Sequence, residues 1–210
     1  MAKLKAPLFS LGATQQLGKA LVFFNWKGLN VVREYVVPSN PKTAGQTTQR
    51  GYLTAAVAMV HTTQALAANA LDAVDVAAYA LLASVVKSAT TWFNQVVKEW
   101  VDCKVLGGAP LVYSDFTVTA PAHGAFSCII YLNEETGSQL ATGKFYFGTS
   151  KTALIHSEAG VLNAGVDMDI TAVDLSAFLT AGVKYFVQFK PDVADPSEGC
   201  NSGIYHFVAT

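Results

Sequence analysis

At Gly107-Gly108-Ala109-Pro110 the hydrophobic period of this chain changes. Upstream, Phe93, Val96, Val97, Trp100 and Val101 recur at i, i+3, i+4, i+7 and i+8, the apolar stripe of an amphipathic helix. Downstream of Leu111, apolar and polar residues alternate in short runs separated by turn residues, the pattern of strands. A helical block followed by a strand block makes the fold class α+β, and the Gly-Gly-Ala-Pro run predicts a linker between two domains.

The N-terminal side has signals of its own. Residues 1–17 carry Pro7, Gly12, Gln15 and Gln16 without periodicity and predict an extended arm, whose Leu4, Leu8, Phe9 and Leu11 call for a surface to lie on. Leu21–Asn25 and Leu29–Val37 are rich in β-branched and aromatic residues, and Trp26-Lys27-Gly28 supplies the turn of a β-hairpin. A lone hairpin is marginal in water, so it has to pack on the helices that follow or join another subunit's sheet. Pro38 and Pro41 each lack a backbone donor and stop the second strand. Thr43 with Gln46 three residues on reads as a capping box. It predicts a helix from Ala44 to Leu66 with Leu53, Val57 and Val60 on its apolar face. Asn69–Asp72 breaks that helix. Asp72 and Asp75 then sit in the first turn of a second one, ending near Lys87, where carboxylates meet the positive end of the helix dipole. Ser88–Thr91 marks the break before the third. Residues 18–108 thus form a β-hairpin and helical anchor domain.

Seven short strands are predicted in 111–210: Val112–Thr119, Ala125–Leu132, Gly143–Thr149, Ala153–Ser157, Val166–Thr171, Val183–Lys190 and Gly203–Val208. That number and spacing indicate an all-β, two-sheet sandwich. Leu179, the Gly182 turn and Tyr185 opening an alternating strand form the pattern of a tyrosine corner, in which the hydroxyl bonds back to the backbone at the sandwich edge. The segment resembles immunoglobulin-like or fibronectin type III-like domains, without the Cys…Trp…Cys spacing of antibody domains.

Composition narrows the function. Hydrophobic residues make up 51% of the chain and charged residues 14%, against roughly a quarter charged in an ordinary soluble domain. An Ala- and Val-rich core is one account of this; burial of apolar surface against other subunits is the other. The net charge of −1 is unevenly spread: residues 1–111 hold ten Lys/Arg and five Asp/Glu, and residues 112–210 hold four and ten. The basic half is too weakly basic for nucleic acid and suits an acidic neighbour. The longest near-apolar runs, Tyr52–Val60 and Val76–Val86, fall short of the ~20 residues of a membrane span, and Leu8–Ala13 is too short for a signal-peptide core. The reading is a soluble protein made in the cytoplasm, with no membrane partner. Cys103, Cys128 and Cys200 lack metal-site spacing and read as buried thiols, a Cys128–Cys200 bridge being left open. His61, His123, His156 and His206 are scattered, and no phosphate-loop, dinucleotide or nucleophile-elbow run occurs. The acidic loops Asp167/Asp169/Asp174 and Asp192/Asp195/Glu198 lack the glycine and closing glutamate of a calcium loop and read as solvated. No enzyme, cofactor or metal site is expected.

One spaced set of residues remains: Gly18, Phe23 or Phe24, Lys27-Gly28, Val32-Arg33, Pro38, Asn40-Pro41, Thr43, Gln46 and Arg50, continued by Asp75–Ala83 and Trp92-Phe93-Asn94. Over residues 18–110 this resembles a signature of bacteriophage and prophage virion structural proteins. Tyr79 stands where a Trp is common in that signature. The resemblance implies a virion component, located in the particle as capsid decoration or tail protein. Its partners would be copies of itself, as a homo-oligomer in a symmetric assembly, and other virion structural proteins. The N-terminal half would dock into the particle and the Ig-like domain would project as a decoration or contact module. Trp26, Lys27, Arg33, Tyr35 and Arg50 are the interface candidates. The alternatives are a self-assembling filament or tube subunit and a receptor- or glycan-binding adhesin.

Overall fold

The computed structural model describes residues 2–4, 15–37, 39–40, 42–86, 91–134 and 140–210. The chain divides into two units, Met1–Ala44 and Gly45–Thr210.

In the first unit, β1 (Ala2–Leu4), β2 (Gln15–Leu17), β3 (Leu21–Trp26) and β4 (Leu29–Glu34) form one antiparallel sheet in the order β1-β4-β3-β2. The expected bare arm therefore supplies two flanking strands; residues 5–14 between them lie outside the described residues, as do Pro38 and Pro41. Lys27 (φ 50°) and Gly28 (φ 77°) are both left-handed, the two-residue loop whose twist matches that of the strands it joins. The Asn25 side-chain oxygen accepts from the Gly28 N–H at 3.0 Å. β4 stops at Glu34, three residues before the predicted Val37, because its partner β3 begins at Leu21, opposite Glu34. Beyond that pair, the Tyr35 N–H donates to the Ala20 carbonyl at 2.8 Å.

The second unit opens with α1 (Ala44–Gln64), α2 (Ala73–Val86) and α3 (Trp92–Val105). α1 starts one residue after Thr43, where the capping pattern put it. Its fully buried residues are Ala56, Val60 and Thr63; of the expected Leu53, Val57 and Val60, Val57 is half-buried against the same core and Leu53 is exposed. Residues spaced i, i+4 and i+7 face one way, and the smaller side chains won that face. α3 buries Val96, Val97 and Trp100 as its stripe predicts, and the Thr91 hydroxyl caps it by accepting from the Asn94 N–H. Residues 87–90, which hold most of the predicted break before α3, are outside the described residues.

Among the described residues eight strands follow: β5 (Leu111–Ala120), β6 (Phe126–Glu134), β7 (Gly143–Gly148), β8 (His156–Ala159), β9 (Val161–Asn163), β10 (Asp167–Val173), β11 (Lys184–Pro191) and β12 (Tyr205–Val208). They make two antiparallel sheets, β5-β6-β10-β9 and β12-β11-β7-β8. Their inner faces share one core: Phe126, Cys128, Ile130, Met168 and Ile170 from one sheet, and Phe145, Phe147, Tyr185, Val187 and Phe189 from the other. Phe126 meets Phe147 edge-on at 5.4 Å, joining the layers. The three-residue β9 had no counterpart in the sequence reading, and β8 lies three residues beyond its predicted start.

The chain divides after Ala44, not at the predicted linker 107–110. The helices share their core with the strands: Val112 and Ile204 cluster with Val60, Tyr79, Val97 and Trp100, while Ala78 and Cys103 reach the core between the sheets. Gly203 permits that contact. A Cβ there would lie 2.7 Å from Ala78 Cβ, and its neighbour Ile204 donates its N–H to the Ala78 carbonyl at 3.0 Å. The fold is α+β, with the helices and the two C-terminal sheets in one unit.

Candidate assembly interface

Four of the five interface candidates fall in the first unit: Trp26 and Arg33 on its strands, Lys27 in the turn between them and Tyr35 just after β4. Register pairs Trp26 with Leu29, Phe24 with Val31 and Val22 with Arg33. Directly opposed residues share a face, so Val22, Phe24, Trp26, Leu29, Val31 and Arg33 line one side. Trp26 is 56% exposed and Leu29 46%. The Arg33 guanidinium lies 5.4 Å over the Phe24 ring and the Lys27 ammonium 6.0 Å from the Trp26 ring, distances at which a cation is attracted to the ring face. Tyr35 follows β4 and is half-buried. Arg50 is exposed on α1, in the other unit.

Among the described residues of this first unit only Phe23 and Val31 are buried. Its 44 residues hold six Lys/Arg and one Asp/Glu, a charge of +5; residues 45–210 hold eight and fourteen, a charge of −6. Residues 45–111 carry four of each and are neutral. The whole positive excess therefore belongs to the first unit and none of it to the helical residues 45–111.

A second cluster, at the junction of helices and sheets, escaped the sequence reading. Asp72 caps α2, its carboxylate accepting from the N–H groups of Val74 (2.7 Å) and Asp75 (3.0 Å). Asp75, read from sequence as a dipole-facing carboxylate, is fully buried. One of its oxygens accepts from the Asp72 N–H (3.1 Å) and the Asp115 N–H (2.8 Å), the other from the Tyr205 hydroxyl (2.8 Å). Asp115 is left-handed (φ 47°) at a register shift of β5, which turns its N–H toward the helix. Burial raises the Asp75 pKa against the pull of these three donors. One turn on, the Tyr79 hydroxyl donates to the Tyr113 carbonyl (3.2 Å) and accepts from the Tyr113 N–H (3.1 Å). The only advance signal was the Asp-x-x-Asp spacing, which gives the cap but not the partners from strands 40 and 130 residues away.

Two cavities flank this junction. An apolar cleft of about 520 Å³ lies between Ala77 and Leu81 of α2, Phe116 and Val118 of β5, and Phe207 of β12. A second, of about 280 Å³, is lined by Glu99, Lys151, Gln188, Lys190 and Asn201. Burial pushes the Glu99 carboxyl up to about 7, although it accepts from the Gln95 side chain (3.0 Å) and the Asn201 N–H (3.2 Å).

The acidic loops act as structural fasteners. Asp195 accepts from the N–H groups of Ala141, Thr142 and Ser197, and Asp167 from the Asn163 side chain. Cys200 does not approach Cys128; it lies against Cys103, and all three thiols are free and buried. Among the described residues no helix is long and apolar enough to cross a membrane. No protein-family model, curated protein or solved structure matches the chain.

Proposed function

We propose that the chain is a non-enzymatic structural subunit of a bacteriophage virion, which docks through its N-terminal sheet and presents its C-terminal unit as a decoration or contact module. One observation carries the reading: a 44-residue unit with charge +5 exposes Trp26 and Leu29 beside Lys27 and Arg33, and among its described residues only Phe23 and Val31 are buried. A domain near 40 residues rarely stabilises itself without outside support. Large aromatics with arginine are the residues that anchor interfaces. The partner surface that suits them is apolar with an acidic rim.

The C-terminal sheets are assigned as an immunoglobulin-like sandwich. The orders β5-β6-β10-β9 and β12-β11-β7-β8 match the A-B-E-D and G-F-C strands of that architecture, with one further edge strand beside C. The Tyr185 hydroxyl, near the start of the F-equivalent strand, donates to the Phe178 carbonyl (3.1 Å) and accepts from the Thr180 N–H (3.0 Å), as a tyrosine corner requires.

The opposite charges of the two units, +5 and −6, also favour a head-to-tail polymer, which stays open when its rotation does not close. Negative-stain microscopy of the purified chain across a concentration series, at low and high salt, separates the readings. Discrete small particles that bind a pre-formed lattice support the docking subunit. Filaments, tubes or rings make self-assembly primary. A monomer at every concentration that binds no particle lacking it overturns both.

A further inference from the structure

Cys103 lies near the end of α3 and Cys200 in the β11–β12 connection, 97 positions later. They are 3% and 2% exposed. Cys200 Sγ is 3.9 Å from the carbonyl of Glu99, one helical turn before Cys103. Cys103 Sγ is 3.7 Å from the carbonyl of Pro196, on the same connection as Cys200. Each sulfur is thus seated against the backbone segment that carries the other. Gly108 keeps the space clear, since a Cβ there would lie 2.6 Å from Cys103 Sγ. Cys128 sits apart on β6, opposite Ile170 and Val118 in the core between the sheets.

We propose that Cys103 and Cys200 are an oxidation site, closing to an intramolecular disulfide that fastens α3 to the β11–β12 connection. The oxidant is a low-molecular-weight disulfide. The Cys103 thiolate attacks one of its sulfurs and expels the first small thiolate, leaving a mixed disulfide on Cys103. The Cys200 thiolate then attacks the Cys103 sulfur and expels the second. One protein disulfide forms, the reagent is reduced to two thiols, and these take up the two protons lost by the cysteines. The order of attack follows from the pair itself. The neighbouring Cys200 thiol lowers the Cys103 pKa, whereas the Cys103 thiol and burial raise the Cys200 pKa.

The connection must open for the first attack, because both sulfurs are buried. It is held there by the Ser197 hydroxyl donating to the Ala109 carbonyl (2.8 Å) and the Ala109 N–H donating to the Pro196 carbonyl (2.8 Å). A link across so long a stretch of chain strongly restricts the unfolded state. It ties the helices to the sheets, and it persists where the surroundings are oxidising. The site does not depend on the assembly reading.

The test treats the purified full-length chain with oxidised glutathione under native conditions, followed by alkylation in denaturant and non-reducing peptide mass mapping. A loss of two hydrogens, a 103–200 linked peptide and an alkylated Cys128 are expected. The thermal midpoint should rise by roughly 5–10 °C and fall back with reductant. Cys128→Ser should keep the link and the shift, and Cys103→Ser should lose both. Recovery of both thiols in alkylated form, glutathione retained on either cysteine without a link, or a link that includes Cys128 would each overturn the proposal. The wild-type mapping decides this even if the Cys103 variant fails to fold.

Discussion

Glu99 shows how one residue can set the pH response of the molecule. Its carboxyl titrates at about 7 in the folded chain because burial disfavours the charge. The unfolded chain gives it an ordinary value near ~4.3. The folded state therefore holds its proton more tightly, so the stabilisation is complete below the unfolded value and is lost as pH rises through 7. Asp75 shifts in the same direction and adds to the trend. The charges around Glu99 are Lys98 on its own helix and Lys151 and Lys190 lining the same cavity, and none of them neutralises it at close range. Urea unfolding between pH 5 and pH 8 (roughly the interval bounded by the two values) should show stability falling by about 1–3 kcal/mol. Glu99→Gln should flatten that slope; an unchanged slope would mean that the carboxylate stays ionised throughout. The raised value was not legible in sequence. Glu99 sits on α3 beside the exposed Lys98–Asp102 pair, and the Asn201 loop, 102 residues away, helps cover it.

The elements were more legible, because their signals are local. The Lys27-Gly28 turn, the start of α1 after Thr43 and the stripe of α3 all rest on residues within one or two turns of each other. Tyr185 is the most informative case, since a leucine, a glycine turn and a tyrosine in seven residues predict a hydroxyl bonded back to the backbone, and the structure gives it Phe178 and Thr180 as partners. Tyr185→Phe should cost about 1–3 kcal/mol in chemical denaturation, because the Thr180 N–H and Phe178 carbonyl lose a half-buried partner. A cost within error of zero would mean that water replaces the hydroxyl. Where the sequence reading slipped, packing made the choice. On α1 the small Ala56 won the inward face over Leu53, and β4 ended where β3 had no residue left to pair.

For the whole molecule the consequential quantity is charge partition. A split at residue 111 spreads the positive excess over the N-terminal residues and the helices; the division after Ala44 confines it to the first unit. An interface between the +5 unit and an acidic surface should weaken with salt, since the Debye length shrinks from ~10 Å at 0.1 M to ~3 Å at 1 M. Trp26→Ala should lower assembly affinity by about 2 kcal/mol or more if Trp26 anchors the contact, with the melting of the second unit unchanged. Sedimentation of wild type and variant across a salt series measures both. An assembly indifferent to salt and to Trp26 would remove this sheet from the contact.

Periodicity and turn chemistry were enough for the α+β class, for most helices and strands, and for the tyrosine corner, because each is written in residues that are neighbours along the chain. Tertiary structure alone decided the boundary after Ala44, the burial of Asp75 beneath Tyr205 and the meeting of Cys103 with Cys200. Those depend on segments about 100 residues or more apart brought together by core packing, and no window of sequence records which distant surface an apolar stripe will choose.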